Sequence, residues 1–166
     1  MALTIPAMPF NPPSQVGPKD ANLAFGTSAT FQTLTATGYF GAPTQLDLGV
    51  GRFLGYWAII FSARKVSALN EEYTFFLLGS NDVAWGNGNV EILNVQDFGA
   101  VRTIATIPGA SPALPTVGPS GEANYFPFEN MKSRIVYRYL RAYVVIAGTS
   151  PTMTVDTWIT DNVTAA

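Results

Sequence analysis

The sequence contains neither cysteine nor histidine in its 166 residues. Without cysteine, the chain has no disulfide bond and no thiolate metal site. Without histidine, it lacks the usual general base near neutral pH and the commonest metal ligand. Any chemistry would therefore depend on carboxylates, hydroxyls and amides.

Charge is also scarce, because charged residues make up 12% of the chain against 48% for hydrophobic ones, and the net charge is −2. A balance this close to neutral gives no general attraction to nucleic acid or to anionic lipid, so we expect neither as a direct partner. A weakly charged surface that is rich in threonine and aromatic residues favours association with protein. The composition therefore indicates an oligomer or a subunit of an assembly.

The sequence offers no clear signal peptide or membrane span. Its first nine residues carry no basic side chain, and Pro6 interrupts their apolar run, whereas a secretory signal needs a basic start and an unbroken apolar segment. No apolar stretch approaches the roughly 18 residues of a transmembrane helix. We expect a protein that is made in the cytoplasm and does not enter a membrane.

Residues 1–24 form a segment distinct from the rest. Five prolines favour extended or turn geometry there and disfavour a helix or central strand: Pro6, Pro9, Pro12, Pro13 and Pro18. Leu3, Ile5 and Phe10 are large apolar residues of a kind that disordered tails usually lack. We predict an extended arm that becomes ordered on a neighbouring subunit, with a disordered tail as the alternative.

Residues 25–166 form a succession of short strands separated by turns. The nearly continuous apolar run at 54–65 is typical of a strand covered on both faces. Pro127 marks 123–128 as an edge segment, because a central strand cannot lose a backbone donor. With about eight or nine such strands and no amphipathic helix, we predict an all-β antiparallel sandwich, with a jelly roll as the leading architecture.

The clearest pair of strands spans residues 134–160. Its first half is rich in Tyr, Val and Ile, its second half alternates from Met153 to Thr160, and Gly148 to Pro151 has turn chemistry. We predict that the two halves pair as one antiparallel hairpin. The first half is too mixed to be simply half-buried, so we expect either coverage on both faces or a bulge near residues 139–141.

No catalytic constellation is evident in the sequence. Ser120 lies between glycines but lacks the spacing of a nucleophile elbow and a histidine to activate it. Glu71 and Glu72 are adjacent, so they point to opposite faces of a strand and are best explained as a solvated strand entry. We predict that the protein is not an enzyme; a histidine-free glycosidase built from separated acids remains an alternative.

Cofactor and metal motifs are equally weak. The glycine-rich segment 49–55 has its third glycine one place late for a dinucleotide loop and precedes a strand rather than a helix, so we interpret it as a turn. Oxygen ligands gather in neighbouring turns, but without the order of a calcium loop: Ser80, Asn81, Asp82, Asn87 and Asn89. We expect no cofactor and no metal.

Two further segments are candidates for protein contact. The loop at 108–121 exceeds the usual connection and carries the apolar Leu114, which favours a contact role. Four of the nine basic residues fall within ten positions: Lys132, Arg134, Arg138 and Arg141. Arginine with neighbouring tyrosine is favoured at protein interfaces. An ordinary sheet surface and a nucleic-acid contact remain the alternatives.

Three features together give the sequence a family resemblance. They are the proline-rich start, Tyr73-Thr-Phe-Phe-Leu-Leu-Gly-Ser-Asn-Asp82 and Tyr137-Arg-Tyr-Leu-Arg-Ala-Tyr-Val-Val-Ile-Ala-Gly-Thr-Ser-Pro151. In this pattern of strands and turns the chain resembles the capsid cement, or head decoration, proteins of short-tailed bacteriophages. The resemblance runs from about Ala24 to Thr160 and includes no catalytic motif.

The resemblance implies a jelly-roll structural protein on the outer surface of a phage head. Its partners would be the major capsid protein and further copies of itself, most simply as a dimer. Many weak contacts acting together would stabilise the shell. On this hypothesis, the capsid or subunit contacts are Leu3, Ile5, Phe10, Leu114, Arg134, Arg138 and Arg141.

A carbohydrate-binding jelly roll, such as a lectin-like adhesin domain of a virion, is the alternative function. Trp57, Trp85 and Trp158 would supply stacking faces for sugar rings, and Asp82 and Asn87 would bond to sugar hydroxyls. The alternative for each tryptophan is packing in the core or at a dimer interface.

Overall fold

The computed structural model describes residues 23–25, 31–41, 45–65, 70–86, 89–98 and 123–161. These ranges contain strands and no α-helix, as predicted, and therefore no helix that could serve as a membrane span. In chain order the strands are β1 (Ala24–Phe25), β2 (Gln32–Leu34), β3 (Gly38–Tyr39), β4 (Leu46–Asp47), β5 (Leu54–Arg64), β6 (Glu72–Ser80), β7 (Val90–Asp97), β8 (Ala123–Glu129), β9 (Met131–Lys132), β10 (Ile135–Val136), β11 (Tyr139–Ala147) and β12 (Met153–Thr160).

The long strands form two antiparallel sheets that pack face to face, which confirms the predicted all-β sandwich. The first sheet has the order β1-β12-β5-β8, and β2 also pairs with β12. The second has the order β3-β11-β6-β7, and β4 also pairs with β11. A separate two-stranded ribbon, β9-β10, lies between β8 and β11 in the sequence.

The core lies between the inner faces of the two sheets. Trp57 and Ile59 come from the first sheet, and Tyr73 and Phe75 from the second, and all four are fully buried. The rings of Trp57 and Phe75 meet edge to face at 6.4 Å. Each buried side chain of this size contributes about 1.5–3 kcal/mol of transfer free energy, so this core is what holds the sheets together.

The middle of β5 is covered on both faces, as its apolar run predicted. Trp57, Ala58 and Ile59 are consecutive residues and all have zero exposure. Because successive side chains of a strand point to opposite faces, Ala58 lies on the outer face of the first sheet. There it joins Ala24 and Trp158 in a second, smaller buried cluster.

The predicted hairpin across residues 134–160 is wrong, because β11 and β12 lie in opposite sheets. The segment 148–152 carries the chain from one sheet to the other, with positive φ at Gly148 and Ser150. Tyr73 fixes this crossing: its hydroxyl lies 2.7 Å from the Lys65 carbonyl oxygen and 3.1 Å from that of Thr152, and these two acceptors share its single proton. Both strands bury an apolar face in the same core, so their sequences were equally compatible with either arrangement.

The expectation for the first half of that segment is also corrected. β11 pairs with β6 in unbroken register from Tyr139 to Ala147, so it has no bulge. Leu140, Ala142 and Val144 are fully buried, whereas the residues between them are partly or fully exposed. The strand is therefore half-buried. Register shifts occur instead between Leu77 and Leu78 in β6 and between Thr154 and Val155 in β12.

Other boundary predictions have mixed outcomes. Pro127 lies in β8, the last strand in the order of the first sheet, as predicted for an edge segment. Residues 38–39, expected in a turn, form β3. The predicted end of the arm at residue 24 falls within β1, whose Ala24 pairs with Trp158; residues 1–22 lie outside the described part.

Candidate interaction surfaces

One end of the sandwich is built from three connections, 48–54, 81–86 and 130–138, which we call the loop end. Asn130 holds it together and is fully buried. Its side-chain oxygen accepts from the Phe53 N–H at 2.6 Å, and its amide nitrogen donates to the carbonyls of Gly51 and Tyr137 at 3.0 and 2.9 Å. A single side chain thus satisfies backbone groups from two connections.

Asn81 makes a similar link on the exposed side of the loop end. It donates to the Val136 carbonyl at 2.8 Å and accepts from the Arg138 N–H at 2.9 Å. Between β9 and β10 the chain turns through Ser133 and Arg134, both at positive φ. A two-residue turn with positive φ at both positions matches the twist of a hairpin. Arg134 is therefore a turn residue, whereas the predicted strand pair began with it.

Asp82 organises the connection after β6. Its two carboxylate oxygens accept from the N–H groups of Ala84 and Gly86 at 2.9 and 3.0 Å. These bonds hold the intervening Trp85 at a positive φ of 56°. No cluster of three or more acidic side chains that could hold a metal occurs in the described ranges. The role of Asp82 here is that of a turn former.

Three ion pairs brace the loop end from outside: Arg52 with Glu129, Lys132 with Glu91, and Arg138 with Asp47. The third is bidentate, with Nε and one terminal nitrogen of Arg138 each 2.7 Å from an oxygen of Asp47. These pairs lie at the surface, where solvent screens them, so they add little to stability. Their main effect is to fix the relative positions of the connections.

The Arg138–Asp47 pair should make the stability of the protein depend on pH in the acidic range. The Arg138 hydrogen bonds, followed by the Gly49 N–H, lower the pKa of Asp47 from 3.8 to about 2. The stabilisation is therefore fully present above pH 3.8 and is lost as the pH falls through 2. Carboxyl-carbon NMR titration should place the Asp47 midpoint near 2, and Arg138→Gln should raise it.

Asp82 is the matched control for this titration. Its pKa is also lowered, but by the N–H groups of Ala84 and Gly86. Arg138→Gln should therefore leave the Asp82 midpoint unchanged. An unshifted Asp47 in that variant, or equal shifts at both carboxyls, would contradict the assigned bidentate pair.

Apolar side chains project from this braced end. Val50, Leu54, Val83 and Ile135 are 89%, 60%, 58% and 51% exposed, the highest values among the large hydrophobic residues of the described part. Single exposed hydrophobic residues are ordinary, but several at the same end of a sandwich make that end a candidate for an interaction. The loop end thus presents apolar tips on a fixed frame.

A second candidate surface is the outer face of the second sheet. Strand pairing places Tyr39, Tyr143, Phe76 and Val95 side by side in one row across β3, β11, β6 and β7. Tyr39 and Val95 are 47% and 46% exposed. The rings of Tyr39 and Tyr143 meet edge to face at 5.0 Å. We call this group the aromatic row.

Arg141 lies next to the aromatic row and is held by aromatic rings. Its guanidinium lies 4.6 Å from the centre of the Trp85 ring and 5.2 Å from that of Tyr39. Gln45 accepts from the Trp85 indole N–H at 2.7 Å. Such cation–π contacts contribute about 0.5–2 kcal/mol each. Arg141 thus belongs to the sheet face, whereas Arg134 and Arg138 belong to the loop end.

The structure separates the predicted contact residues. The arginines occupy the two surfaces just described, whereas Leu3, Ile5, Phe10 and Leu114 lie outside the described residues. The exposed Val50 and Val83 were not anticipated. The local signal for Val50 was a lone apolar residue between Gly49 and Gly51, where a turn cannot bury it.

The groups considered for sugar binding and catalysis are largely buried. Trp57, Trp85 and Trp158 have exposures of 0%, 9% and 2%, so none offers a free stacking face. Glu72 opens β6 and is exposed, whereas Glu71 precedes the strand and is fully buried, so Glu71 does not form the predicted solvated strand entry. Asn87 lies outside the described residues. Among the described residues, the candidate interaction surfaces are the loop end and the sheet face that carries the aromatic row.

Comparison with known proteins adds no assignment to these surfaces. No protein-family model, no curated protein and no solved structure matches the chain.

Proposed function

We propose that the protein is a capsid decoration protein, which binds the outside of a phage head and stabilises contacts between major capsid proteins. The observation that carries the proposal is the loop end, where the four most exposed large hydrophobic residues of the described part project from a braced frame. The family resemblance of the sequence supplies the identity of the shell as the partner.

The frame matters because ordering a loop on binding costs about 0.5–1.5 kcal/mol for each immobilised side chain. Much of this ordering has already taken place when the protein folds. The connections are held by the hydrogen bonds of Asn130 and Asn81 and by the Arg138–Asp47 pair. Apolar tips then gain about 25 cal/mol for each Å² removed from water. Each copy adds a modest contact, and many copies together reinforce a shell.

The jelly roll expected for such a protein is part of the proposal, and the strand order supports it. The chain passes repeatedly between the two sheets, so that β5 and β8 lie in the first while β6 and β7 lie in the second. The late strands β11 and β12 each insert beside an early strand. A jelly roll consists of two interlocked Greek keys, and it requires two sheets of four strands between which the chain alternates in this way.

Replacing loop-end tips by charge tests the proposed function. We expect Val50→Glu combined with Ile135→Glu to lower the affinity for expanded phage heads by at least about tenfold, because carboxylates would be desolvated in an apolar contact. Binding would be measured by co-sedimentation of purified protein with heads that lack it. Both positions are more than half exposed, so folding should be unaffected.

Thr35→Glu is the matched control, since it adds a carboxylate at an exposed position beside β2, near the opposite end of the sandwich. This variant should bind heads like the original protein. If the double variant decorates heads as fully as Thr35→Glu does, the loop end is not the shell contact. Failure of the unaltered protein to bind heads would reject the function as a whole.

A further inference from the structure

The outer face of the second sheet carries a different inference, because its side chains are ordered in rows by the strand register. On one side of the aromatic row lies the row of Arg141, Leu78 and Ile92. On the other side lies the row of Val145, Thr74 and Asp97, followed by Glu72. Apolar residues thus occupy the middle, with opposite charges towards the two ends.

The charges at the two ends are distinct. Arg138 and Asp47 neutralise each other, so the net positive charge at the first end comes from Arg141. At the second end, the exposed Glu72 supplies the negative charge. A face with this polarity is complementary to itself when it is turned end for end.

We propose that this face is an isologous interface, on which a second copy of the chain packs around a two-fold axis lying along the aromatic row. Such an axis runs across the strands within the plane of contact. Residues of the aromatic row then meet their own copies, since a two-fold interface is self-complementary. The Arg141 row of each copy faces the Thr74 and Asp97 row of the other.

The arrangement agrees with general rules of sheet packing. Sheets that pack face to face keep their strands within about 30° of each other, and an axis perpendicular to the strands places them antiparallel. Arg141 can reach the acidic end of the opposing copy, because adjacent strands are only about 4.8 Å apart and alternate residues about 6.8 Å. Tyr and Arg at the centre are the residue types that dominate binding energy at interfaces.

The size of the face sets the expected affinity. Four rows on four strands span about 20 Å by about 15 Å, or roughly 300 Å² in projection, against about 800 Å² per partner in stable complexes. We therefore expect a dimer with a dissociation constant in the micromolar range. The family resemblance behind the proposed function already implies self-association, and this inference adds the surface that carries it. That surface differs from the loop end, so the two can be tested separately.

Val95 provides the decisive test, because it is in the aromatic row and 46% exposed. On a two-fold axis it meets the Val95 of the second copy, so Val95→Glu and Val95→Lys should each raise the dissociation constant at least about tenfold. An equimolar mixture of the two variants should recover dimerisation as a heterodimer with opposite charges on the axis. Sedimentation velocity over a concentration series and native mass spectrometry would measure both effects.

Two further variants complete the test on the full chain. Glu72→Lys, away from the axis, should weaken the dimer severalfold by facing the Arg141 end of the second copy. Val50→Glu at the loop end should leave the dimer unchanged within about twofold, while weakening the binding of phage heads. This contrast separates failure of the dimer from failure of the proposed function.

The outcomes that overturn the inference are specific. An unaltered protein that stays monomeric up to about 1 mM would reject the interface. So would a mixture of Val95→Glu and Val95→Lys that remains as monomeric as either variant alone, or a Val50→Glu variant that weakens the dimer as much as they do. Circular dichroism and thermal unfolding of each variant would establish that the sandwich is intact.

Discussion

Gly148→Ala should destabilise the protein by about 3 kcal/mol or more, one of the two largest effects that we expect from a single substitution. Gly148 has a φ of +111°, a conformation that other residues rarely adopt. A Cβ atom there would lie 2.4 Å from the Asn70 carbonyl oxygen and 2.7 Å from the Glu71 Cα. These neighbours are backbone atoms at the start of β6, so they cannot move aside without disturbing the sheet.

Gly49→Ala is the matched control for this substitution. Gly49 also has a positive φ, +73°, but a Cβ atom there would meet nothing within 4 Å. Its cost should be limited to the backbone conformation, about 1 kcal/mol. Urea denaturation would measure the difference as a change in midpoint at constant slope. Equal midpoints for the two variants would show that Gly148 does not lie as close to the backbone of Asn70 and Glu71 as described.

Asn130→Leu should cost about 3–5 kcal/mol of the free energy of unfolding. The substitution keeps a similar volume but removes the acceptor for the Phe53 N–H and the donors to Gly51 and Tyr137. Each buried polar group left without a partner costs about 1–3 kcal/mol, and partial entry of water would reduce the sum. Hydrogen exchange of the Phe53 amide should accelerate at the same time.

Asn81→Leu distinguishes burial from the number of hydrogen bonds. Asn81 also bonds to two backbone groups, Val136 and Arg138, but it is exposed, so water can replace its side chain. We expect a cost of less than about 1 kcal/mol. If the two leucine variants were equally stable, Asn130 would not be the buried centre of the loop end.

The sequence was informative where local chemistry decides the outcome. Pro127 indicated an edge strand because it lacks a backbone donor, and the apolar run around Trp57 indicated coverage on both faces. Alternation in β12 predicted that Met153, Val155 and Ile159 share one face, and all three lie in the core. It could not predict the neighbouring strand, because β11 would bury the same residues whether it paired with β12 or faced it across the core.

The candidate surfaces were less predictable for the same physical reason. Arg134, Arg138 and Arg141 form one cluster in the sequence, but a two-residue turn and a strand boundary separate them in space. The aromatic row joins residues from four strands, and only long-range register brings Tyr39 beside Tyr143. Asn130 has no local feature that distinguishes a buried link from an ordinary turn residue.

The crossing at 148–152 has a consequence for biosynthesis. β12 lies next to β5 in the first sheet, and β11 lies next to β6 in the second. Each of β5 and β6 therefore lacks one of its two neighbouring strands until residues 139–160 have left the ribosome. Long-range pairing of this kind slows folding, and the earlier strands expose unpaired edges meanwhile. The sandwich therefore closes only after residues 139–160 have been synthesised, and a nascent chain cannot present a finished loop end or sheet face to any partner before that point.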